Sequence, residues 1–149
     1  MNQVKIKRLN DHAIMPTRGS AEAAGFDLYA DIDNNTESLV IFPNQVRKIP
    51  TGFAIQAPEG TFAAIFARSG MATNRGLAPA NKVGVVDSDY RGEVIVALHN
   101  CSNEPQLIKH GDRIAQLVII PYYVAELIEV DELDNTERGS NGFGSTDKK

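Results

Sequence analysis

Apolar positions along this chain fall into many short runs separated by Gly, Pro, Asn or Asp. The runs are rich in Val, Ile and Phe, and the clearest occupy residues 38–42, 62–67, 94–98 and 114–120. β-branched and aromatic residues favour strands, while the intervening residues favour turns. Many short strands with regular turn signals predict an all-β sandwich or barrel.

The weaker runs add five more predicted strands, at residues 4–6, 46–49, 53–56, 83–86 and 124–130. Helical character is confined to two places, each about one turn long. These are residues 20–24 and 71–74. The predicted fold therefore has one or two very short helices on an all-β framework.

Composition changes after Val130, where the chain becomes polar and glycine-rich. We therefore divide the sequence into a β-sandwich domain, residues 1–130, and a flexible C-terminal tail, residues 131–149. Ordering a residue costs about 1–2 kcal/mol of backbone entropy. The tail would therefore close only over a strongly bound partner such as a charged ligand. A disordered end is the alternative interpretation.

Length and charge limit the classes of function. The chain has 149 residues, of which 42% are hydrophobic, which suits one globular domain. Its one cysteine, Cys101, excludes an intrachain disulfide. No signal-type or membrane-spanning apolar run occurs, so we expect a cytoplasmic protein with no membrane partner. A net charge of −4 disfavours a nucleic-acid partner. A small phosphorylated ligand requires only local arginines and backbone amides.

The segment 84–93 reads GVVDSDYRGE and is followed by the apolar run 94–98. This pattern predicts a β-hairpin. Asp87 follows two apolar residues at the end of the first strand, and Tyr90 comes three residues later. A carboxylate beside an aromatic ring suits a general base next to a pocket for a flat ligand. A polar turn with an Asx hydrogen bond is the alternative.

Residues 67–71 read ARSGM and stand where an apolar strand meets a short helical turn. The forked donors of Arg68, the hydroxyl of Ser69 and the unhindered backbone of Gly70 suit phosphate oxygens. Taken alone, the segment rather favours the alternative of a strand end with a capping serine and a solvated arginine.

Two polar residues stand among apolar neighbours in other predicted strands. Asp27 lies in AGFDLYA, residues 24–30, where it would hold a magnesium-bound water or form a structural ion pair. Gln116 alternates with apolar residues, and its amide needs a partner such as a water or a ligand. Asp112 and Arg113 suit a turn and an ion pair.

Several familiar chemistries lack their motifs. The chain has neither a Walker-type loop nor a Gly-x-Ser-x-Gly elbow. Its three histidines, His12, His99 and His110, are scattered without metal-ligand spacing. With a single cysteine, a zinc deaminase site of the Cys-x-x-Cys kind cannot form. In the tail, Arg138, Phe143 and Ser145 suit phosphate binding and base stacking, with a disordered end as the alternative.

Together, five segments closely resemble in order the five motifs of the trimeric deoxyuridine triphosphatases (dUTPases). They are AGFDL at 24–28, RSG at 68–70, GVVDSDYRGE at 84–93, GDRIAQL at 111–117 and RGSNGFGST at 138–146. The resemblance implies a β-sandwich of the distorted jelly-roll type and the hydrolysis of dUTP to dUMP and pyrophosphate. It also implies a homotrimer whose active sites are shared between subunits.

The resemblance implies roles for individual residues. Asp87 would be the catalytic base that activates the water attacking the α-phosphorus, and Asp27 would reach Mg²⁺ through water. Tyr90 would pack under the deoxyribose and exclude a 2′-hydroxyl. The substrate-binding set implied by the motifs is Arg68, Ser69, Gly70, Asn81, Gly84, Val85, Val86, Asp87, Tyr90, Ile95, Gln116, Arg138, Phe143, Gly144 and Ser145.

Three positions depart from the family pattern, because Ala67, Asn141 and Asp147 stand where glycine is common. Asp147 adds negative charge near the implied γ-phosphate site, which the family pattern does not place there. Two alternatives stay open. One is a dCTP deaminase, which shares the fold, and the other is a non-catalytic sandwich that binds nucleotides or a protein partner.

Overall fold

The computed structural model describes residues 3–33, 36 and 38–141. Within these ranges the chain forms eleven strands and one helix. In chain order they are β1 Lys5–Arg8, β2 Thr17–Arg18, β3 Phe26–Tyr29, β4 Leu39–Ile41, β5 Val46–Gln56, β6 Thr61–Phe66, α1 Ser69–Arg75, β7 Leu77–Pro79, β8 Gly84–Val86, β9 Glu93–Asn100, β10 Gln106–Ile108 and β11 Arg113–Pro121.

The strands form two main open sheets and a small one. The first main sheet has the order β1-β5-β9-β7, the second has the order β2-β3-β11-β6-β8, and β4 pairs with β10. Phe53 and Val94 of the first main sheet share one buried core cluster with Leu28, Ile65 and Leu117 of the second. The predicted all-β sandwich is therefore confirmed, and neither sheet closes into a barrel.

Strict alternation along β9 shows how the sequence builds this core. Val94, Val96 and Leu98 are buried, whereas Ile95 between them is 45% exposed. Successive side chains of a strand point to opposite faces, so an alternating apolar pattern gives one inward face. Burying such side chains contributes about 1.5–3 kcal/mol each.

Two predicted strands merge into one, because β5 runs through the expected turn at residues 50–52. The turn residues produce a bulge instead, and the pairing with β9 shifts between Pro50 and Ala54. Gly52 adopts a φ of +70° there, a conformation that favours glycine. The turn signal therefore marked a real irregularity inside a continuous strand.

The prediction of a hairpin at 84–93 is wrong. β8 pairs with β6 in the five-stranded sheet, whereas β9 pairs with β5 and β7 in the four-stranded sheet. The segment is therefore a tight connection between two packed sheets. Local sequence cannot separate these cases, because both need two apolar strands around a polar turn and differ only in the partner that each strand finds.

Two other local predictions also differ from the structure. Residues 20–24 form a turn, with the amide of Ala23 donating to the carbonyl of Ser20, rather than a helix. Residues 124–130 are exposed and make no strand. The apolar pattern suits a strand, but no strand among the described residues pairs with it. No helix in the described ranges is long and apolar enough to cross a membrane.

Candidate active site

The five-stranded sheet brings three of the predicted segments side by side. On β11, Gln116 pairs with Asp27 of β3 on one side and with Phe66 of β6 on the other. Arg68 lies two residues beyond Phe66, where β6 gives way to helix α1. Strand register therefore gathers residues that are far apart in the sequence at one end of the sheet.

An ion-pair network joins these residues. Asp27 Oδ1 accepts a hydrogen bond of 2.7 Å from Arg68 Nε, and its Oδ2 accepts one of 3.3 Å from Arg113 Nη1. The carboxylate side chain is only 15% exposed. The ion pair expected for Arg113 is confirmed. For Asp27, the structure shows the alternative of a structural ion pair. This pair fixes the Arg68 guanidinium at the end of the sheet.

Gln116 is held in one orientation by its neighbours. Its Nε2 donates a 2.9 Å hydrogen bond to the carbonyl of Ala67. Its Oε1 packs on Gly25, where an added Cβ would lie only 2.9 Å away. The amide predicted to need a partner therefore has one, and a side chain at position 25 would displace it. Gly25 did not stand out in the sequence as a residue of the site, although glycine beside a strand signals close backbone approach.

Helix α1 begins directly after Arg68, which is the N-cap residue and makes no side-chain cap hydrogen bond. The alternative interpretation of a capping serine and a solvated arginine is therefore not observed, because Ser69 is the first residue of the helix and Arg68 is paired with Asp27. The first N–H groups of a helix have no acceptor within it. Ser69 and Gly70 are both exposed, so their amides are available to an anion.

The loop between β8 and β9 holds Tyr90 against its own backbone. The Tyr90 amide donates to the Asp87 carbonyl at 3.2 Å, and the Tyr90 hydroxyl donates to the Glu93 carbonyl at 3.1 Å. A Cβ added to Gly92 would lie 2.5 Å from Tyr90 Cζ. Gly92 thus lets the ring lie flat on the loop, a contact that the sequence analysis missed. Asp87 itself is exposed.

Exposed apolar side chains lie near this loop. Val85 is 61% exposed, Tyr90 is 46% exposed, and Ile95 faces away from the core. At the other end of β8, Gly84 is buried, and an added Cβ there would lie 3.5 Å from Asn81 Nδ2. Exposed apolar side chains of the third motif therefore lie beside one end of β8, and the amide side chain of Asn81 lies beside the other end.

One chain does not bring Asp87 to Arg68. Val86 pairs with Ala63, which lies five residues before Arg68. At about 3.3 Å per residue, Val86 is about 10 Å from the end of β6 at Phe66. The Arg68 side chain also extends toward Asp27 on β3, away from β8 at the sheet edge. The predicted base and the predicted phosphate-binding arginine thus form two separate groups within a protomer.

The described part of the tail forms a turn of its own. Arg138 Nε donates to the carbonyl of Asn141 at 2.9 Å, and the Gly139 amide donates to the carbonyl of Thr136. Both Arg138 and its surroundings are exposed. Phe143, Gly144 and Ser145, which the sequence analysis also assigns to the site, lie outside the described residues.

Comparison with known families connects this arrangement to a single activity. A family model described as dUTPase matches residues 11–147. The chain belongs to the dUTPase family. It is therefore a dUTP diphosphatase, which hydrolyses dUTP to dUMP and pyrophosphate. This result sets aside the alternatives of a dCTP deaminase and a non-catalytic sandwich.

Relatives that share this dUTPase sequence span bacteria and eukaryotes. The deoxyuridine 5′-triphosphate nucleotidohydrolase of Desulfitobacterium hafniense strain DSM 10664 / DCB-2 is 49% identical over 151 residues, covering 98% of each chain. The mitochondrial enzyme of Homo sapiens is 44% identical, and the match covers 98% of this chain and 55% of the human one.

Solved dUTPase structures share the fold. The dUTPase of Staphylococcus bacteriophage 80alpha, solved with dUpNHpp, has a TM-score of 0.82 at 29% identity. The match covers 98% of this chain and 99% of the phage chain. The dUTPase of phage phi11 of S. aureus has a TM-score of 0.79 at 25% identity, covering 90% of this chain and all of that one. That phage enzyme coordinates a structural Mg²⁺ ion.

Proposed function

We propose that Asp87 is the general base of this dUTPase and activates the water that attacks the α-phosphorus. The support is its place: an exposed carboxylate directly after β8, in a loop that Tyr90 and Gly92 hold in a fixed shape. A carboxylate within reach of a bound water can accept the proton of that water as it attacks. The water oxygen forms a bond to the α-phosphorus. The bond from that phosphorus to the α,β-bridging oxygen breaks, and pyrophosphate leaves with its electron pair.

The phosphate groups of dUTP bind, in this proposal, where β6 ends and α1 begins. Arg68 offers its guanidinium, Ser69 a hydroxyl, and Gly70 a first-turn amide. Gln116, fixed by the carbonyl of Ala67, orients a phosphate or the attacking water. Asp27 keeps the Arg68 guanidinium in place.

Mg²⁺ is the cofactor that we assign to the triphosphate, with Asp27 as an indirect ligand. The carboxylate of Asp27 fits this role because each of its oxygens has lone pairs beyond the hydrogen bonds from Arg68 and Arg113. Mg²⁺ usually keeps several waters, so a carboxylate holds it through water. When bound, the ion offsets the charge of the phosphates.

The third motif would recognise the nucleoside. Backbone groups of residues 84–87, with Asn81, read the uracil edge in this proposal, and the tight backbone leaves no room for a 5-methyl group. Tyr90 and Ile95 supply the apolar wall, and their exposed faces support this assignment. The flat ring of Tyr90 favours deoxyribose over ribose, because the 2′-hydroxyl of ribose would lie against an apolar surface.

In this proposal the tail closes over the site. Arg138 and Ser145 bind phosphate, Gly144 makes the closest backbone approach to the nucleotide, and Phe143 stacks on uracil. The division into a domain of residues 1–130 and a tail of residues 131–149 stays a prediction, as does a cytoplasmic location. The described tail residues support closure only by their exposure, which leaves them free to move onto a ligand.

A homotrimer with shared sites is the assembly that we propose. Within one chain, Asp87 and Arg68 lie too far apart to act on the same triphosphate. Residues 122–133 also expose several large apolar side chains: Tyr123, Val124, Leu127, Ile128, Val130 and Leu133. Monomeric proteins rarely leave so much contiguous apolar surface in water. Sedimentation equilibrium should therefore give three times the 16.2 kDa of one chain.

The substitution Asp87→Asn tests the proposed base. The amide keeps the shape of the side chain but cannot take a proton, so kcat for dUTP should fall by about 10²–10⁴-fold or more. The affinity for dUpNHpp, measured by calorimetry, should stay within a few-fold of the wild-type value. Glu59→Gln removes an exposed carboxylate from the turn between β5 and β6 and is the matched control.

A near-normal rate of pyrophosphate release from dUTP in the Asp87→Asn variant would contradict the assignment. The same assay with dTTP, dCTP and UTP tests the nucleoside pocket. We expect strong preference for dUTP, because the uracil edge and the sugar are both read by fixed groups. Comparable turnover of all four nucleotides would overturn the assigned pocket.

A further inference from the structure

A cluster of metal-ligand side chains lies outside the residues assigned to dUTP. His12, Asp31 and His110 each present one ligand atom, and all of these atoms lie within 4.8 Å of one another. The prediction that the histidines are scattered is therefore wrong for two of the three. Sequence spacing hid the cluster because its members come from three separate segments of the chain.

Backbone hydrogen bonds hold two of these segments together without any help from the cluster. The Ala30 amide donates to the carbonyl of Asp112 at 2.8 Å, and the Gly111 amide donates to the carbonyl of Ala30 at 2.9 Å. The Asp31 amide donates to the carbonyl of Pro50 at 2.9 Å. The turn that carries the second histidine is thus fixed beside the aspartate, so the cluster is preformed.

The buried carboxylate is oriented by its surroundings. The Asp31 side chain is only 4% exposed, and its Oδ2 accepts a 2.6 Å hydrogen bond from Asn10 Nδ2. Asn10 is held in turn by the Ala13 amide, which donates to its Oδ1 at 2.8 Å. Gly52 packs against the carboxylate, since an added Cβ would lie 2.9 Å from Asp31 Cγ. These contacts leave Oδ1 pointing toward both histidines. Residues that hydrogen-bond to a metal ligand commonly orient it in this way.

Hydrogen bonding within the cluster satisfies one histidine and not the other. His12 Nδ1 lies 2.6 Å from Asp31 Oδ1. His110 Nδ1 lies 3.7 Å from the same oxygen and is buried without a hydrogen-bond partner among the described residues. A buried polar atom without a partner is costly, and a bound cation would supply the partner that this nitrogen lacks.

We propose that His12, Asp31 and His110 form a Zn²⁺ site. Two imidazole nitrogens and one carboxylate oxygen are a ligand set that Zn²⁺ favours and Mg²⁺ does not. In a tetrahedral site with bonds of about 2.0–2.2 Å, ligand atoms lie about 3.3 Å apart. To reach that spacing through small ring rotations, the 2.6 Å contact between His12 Nδ1 and Asp31 Oδ1 must lengthen. The 3.7 Å contact between His110 Nδ1 and the same oxygen must shorten slightly. The two imidazole rings already lie edge to face, with their centroids 5.8 Å apart and their planes at 73°.

Water completes the coordination, because the two imidazoles are partly exposed, His12 at 39% and His110 at 29%. The ion is structural in this proposal. It ties the segment before β2 to the end of β3 and to the turn before β11, none of which supplies the proposed base. Zinc should therefore raise the thermal stability of the enzyme and leave dUTP turnover with Mg²⁺ unchanged.

Calorimetric titration of tag-free, chelator-treated enzyme with ZnCl₂ tests the site. We expect one Zn²⁺ per chain, matched by elemental analysis after dialysis, and a rise in Tm on binding. His110→Gln and His12→Gln should each weaken the affinity for Zn²⁺ by about 100-fold, since each removes a direct ligand. Using both variants guards against a folding defect in one, and dUTP turnover reports that each is folded.

His99→Gln is the matched control, because His99 Nδ1 lies 3.2 Å from Cys101 Sγ and the pair offers a competing zinc site. It should leave the zinc affinity unchanged. Loss of zinc in His99→Gln with retention in His110→Gln would overturn the proposal. So would a wild-type enzyme that retains no zinc after dialysis, or a Zn²⁺ affinity that is equal in all variants.

Discussion

At the scale of single residues, three glycines position side chains of the active site and of the proposed zinc site. Gly25 receives the Gln116 amide, Gly92 lies under the Tyr90 ring, and Gly52 lets the backbone approach Asp31. A sequence pattern identifies a carboxylate or an arginine as a candidate for chemistry. It does not show that a neighbouring glycine fixes the orientation of a reactive side chain, because that contact depends on the folded loop.

Gly92→Ala should impair the choice of sugar. The new methyl group would overlap the Tyr90 ring, so the ring must swing off the loop. We expect kcat/KM for dUTP to fall by about tenfold or more, equivalent to about 1.4 kcal/mol, and the preference for dUTP over UTP to narrow. Steady-state kinetics with both nucleotides measures this effect.

Gly19→Ala is the control for that substitution, because nothing lies within 4 Å of an added Cβ at position 19. Its kinetics should match those of the wild type. Unchanged selectivity in Gly92→Ala would show that the Tyr90 ring does not act as the wall for the sugar.

At the scale of elements, the packing of β4 and β9 depends on one buried amide. Asn100 is fully buried, and its Nδ2 donates at 2.8 Å both to the carbonyl of Ile41 and to that of Glu104. Its Oδ1 accepts from the amide and the hydroxyl of Ser102. One side chain thereby joins the end of β9, the end of β4 and the turn that leads to β10.

Asn100→Ala should destabilise the fold strongly. It removes four hydrogen bonds from a region that Asn100 itself fills, two to the carbonyls of Ile41 and Glu104 and two from Ser102, at a cost of about 2–4 kcal/mol. Urea unfolding at fixed protein concentration measures this loss. Asn103→Ala, in the same turn and exposed, should change the free energy of unfolding by less than about 0.5 kcal/mol. Equal values for the two variants would contradict the proposed role of the buried amide.

At the scale of the whole molecule, one chain is an incomplete enzyme in our proposal. Asp87 and Arg68 lie at separated positions of the five-stranded sheet. Residues 122–133 continue beyond β11 as an exposed segment that pairs with no strand of the described residues. Both observations have the same consequence. A second and a third copy would supply the missing half of each site and cover the exposed apolar side chains.

Mixed oligomers test this arrangement directly. Asp87→Asn and Arg68→Ala should each be nearly inactive alone. After the two variants are co-refolded in equal amounts, about a quarter of the sites of a cyclic trimer should combine an intact Asp87 with an intact Arg68 from the next subunit. Pyrophosphate release should therefore recover to about a quarter of the wild-type rate.

The control mixes Asp87→Asn with the double variant Asp87→Asn, Arg68→Ala, which has no intact base in any subunit. It should show no recovery. Equal inactivity in the complementary mixture, despite a trimeric mass by sedimentation, would place both residues in a site within one chain.

The sequence by itself determined the fold class, the nature of the reactive groups and the family resemblance. Short alternating runs such as 94–98 have one way to bury their apolar face, and Asp87, Arg68 and Gln116 stand in ordered motifs, so both can be read locally. The tertiary structure decided which strand each run pairs with. It turned a predicted hairpin into a connection between sheets and gathered His12, Asp31 and His110. Strand pairing and the clustering of these side chains depend on contacts between residues that are far apart in the sequence. Local periodicity carries no information about such distant partners.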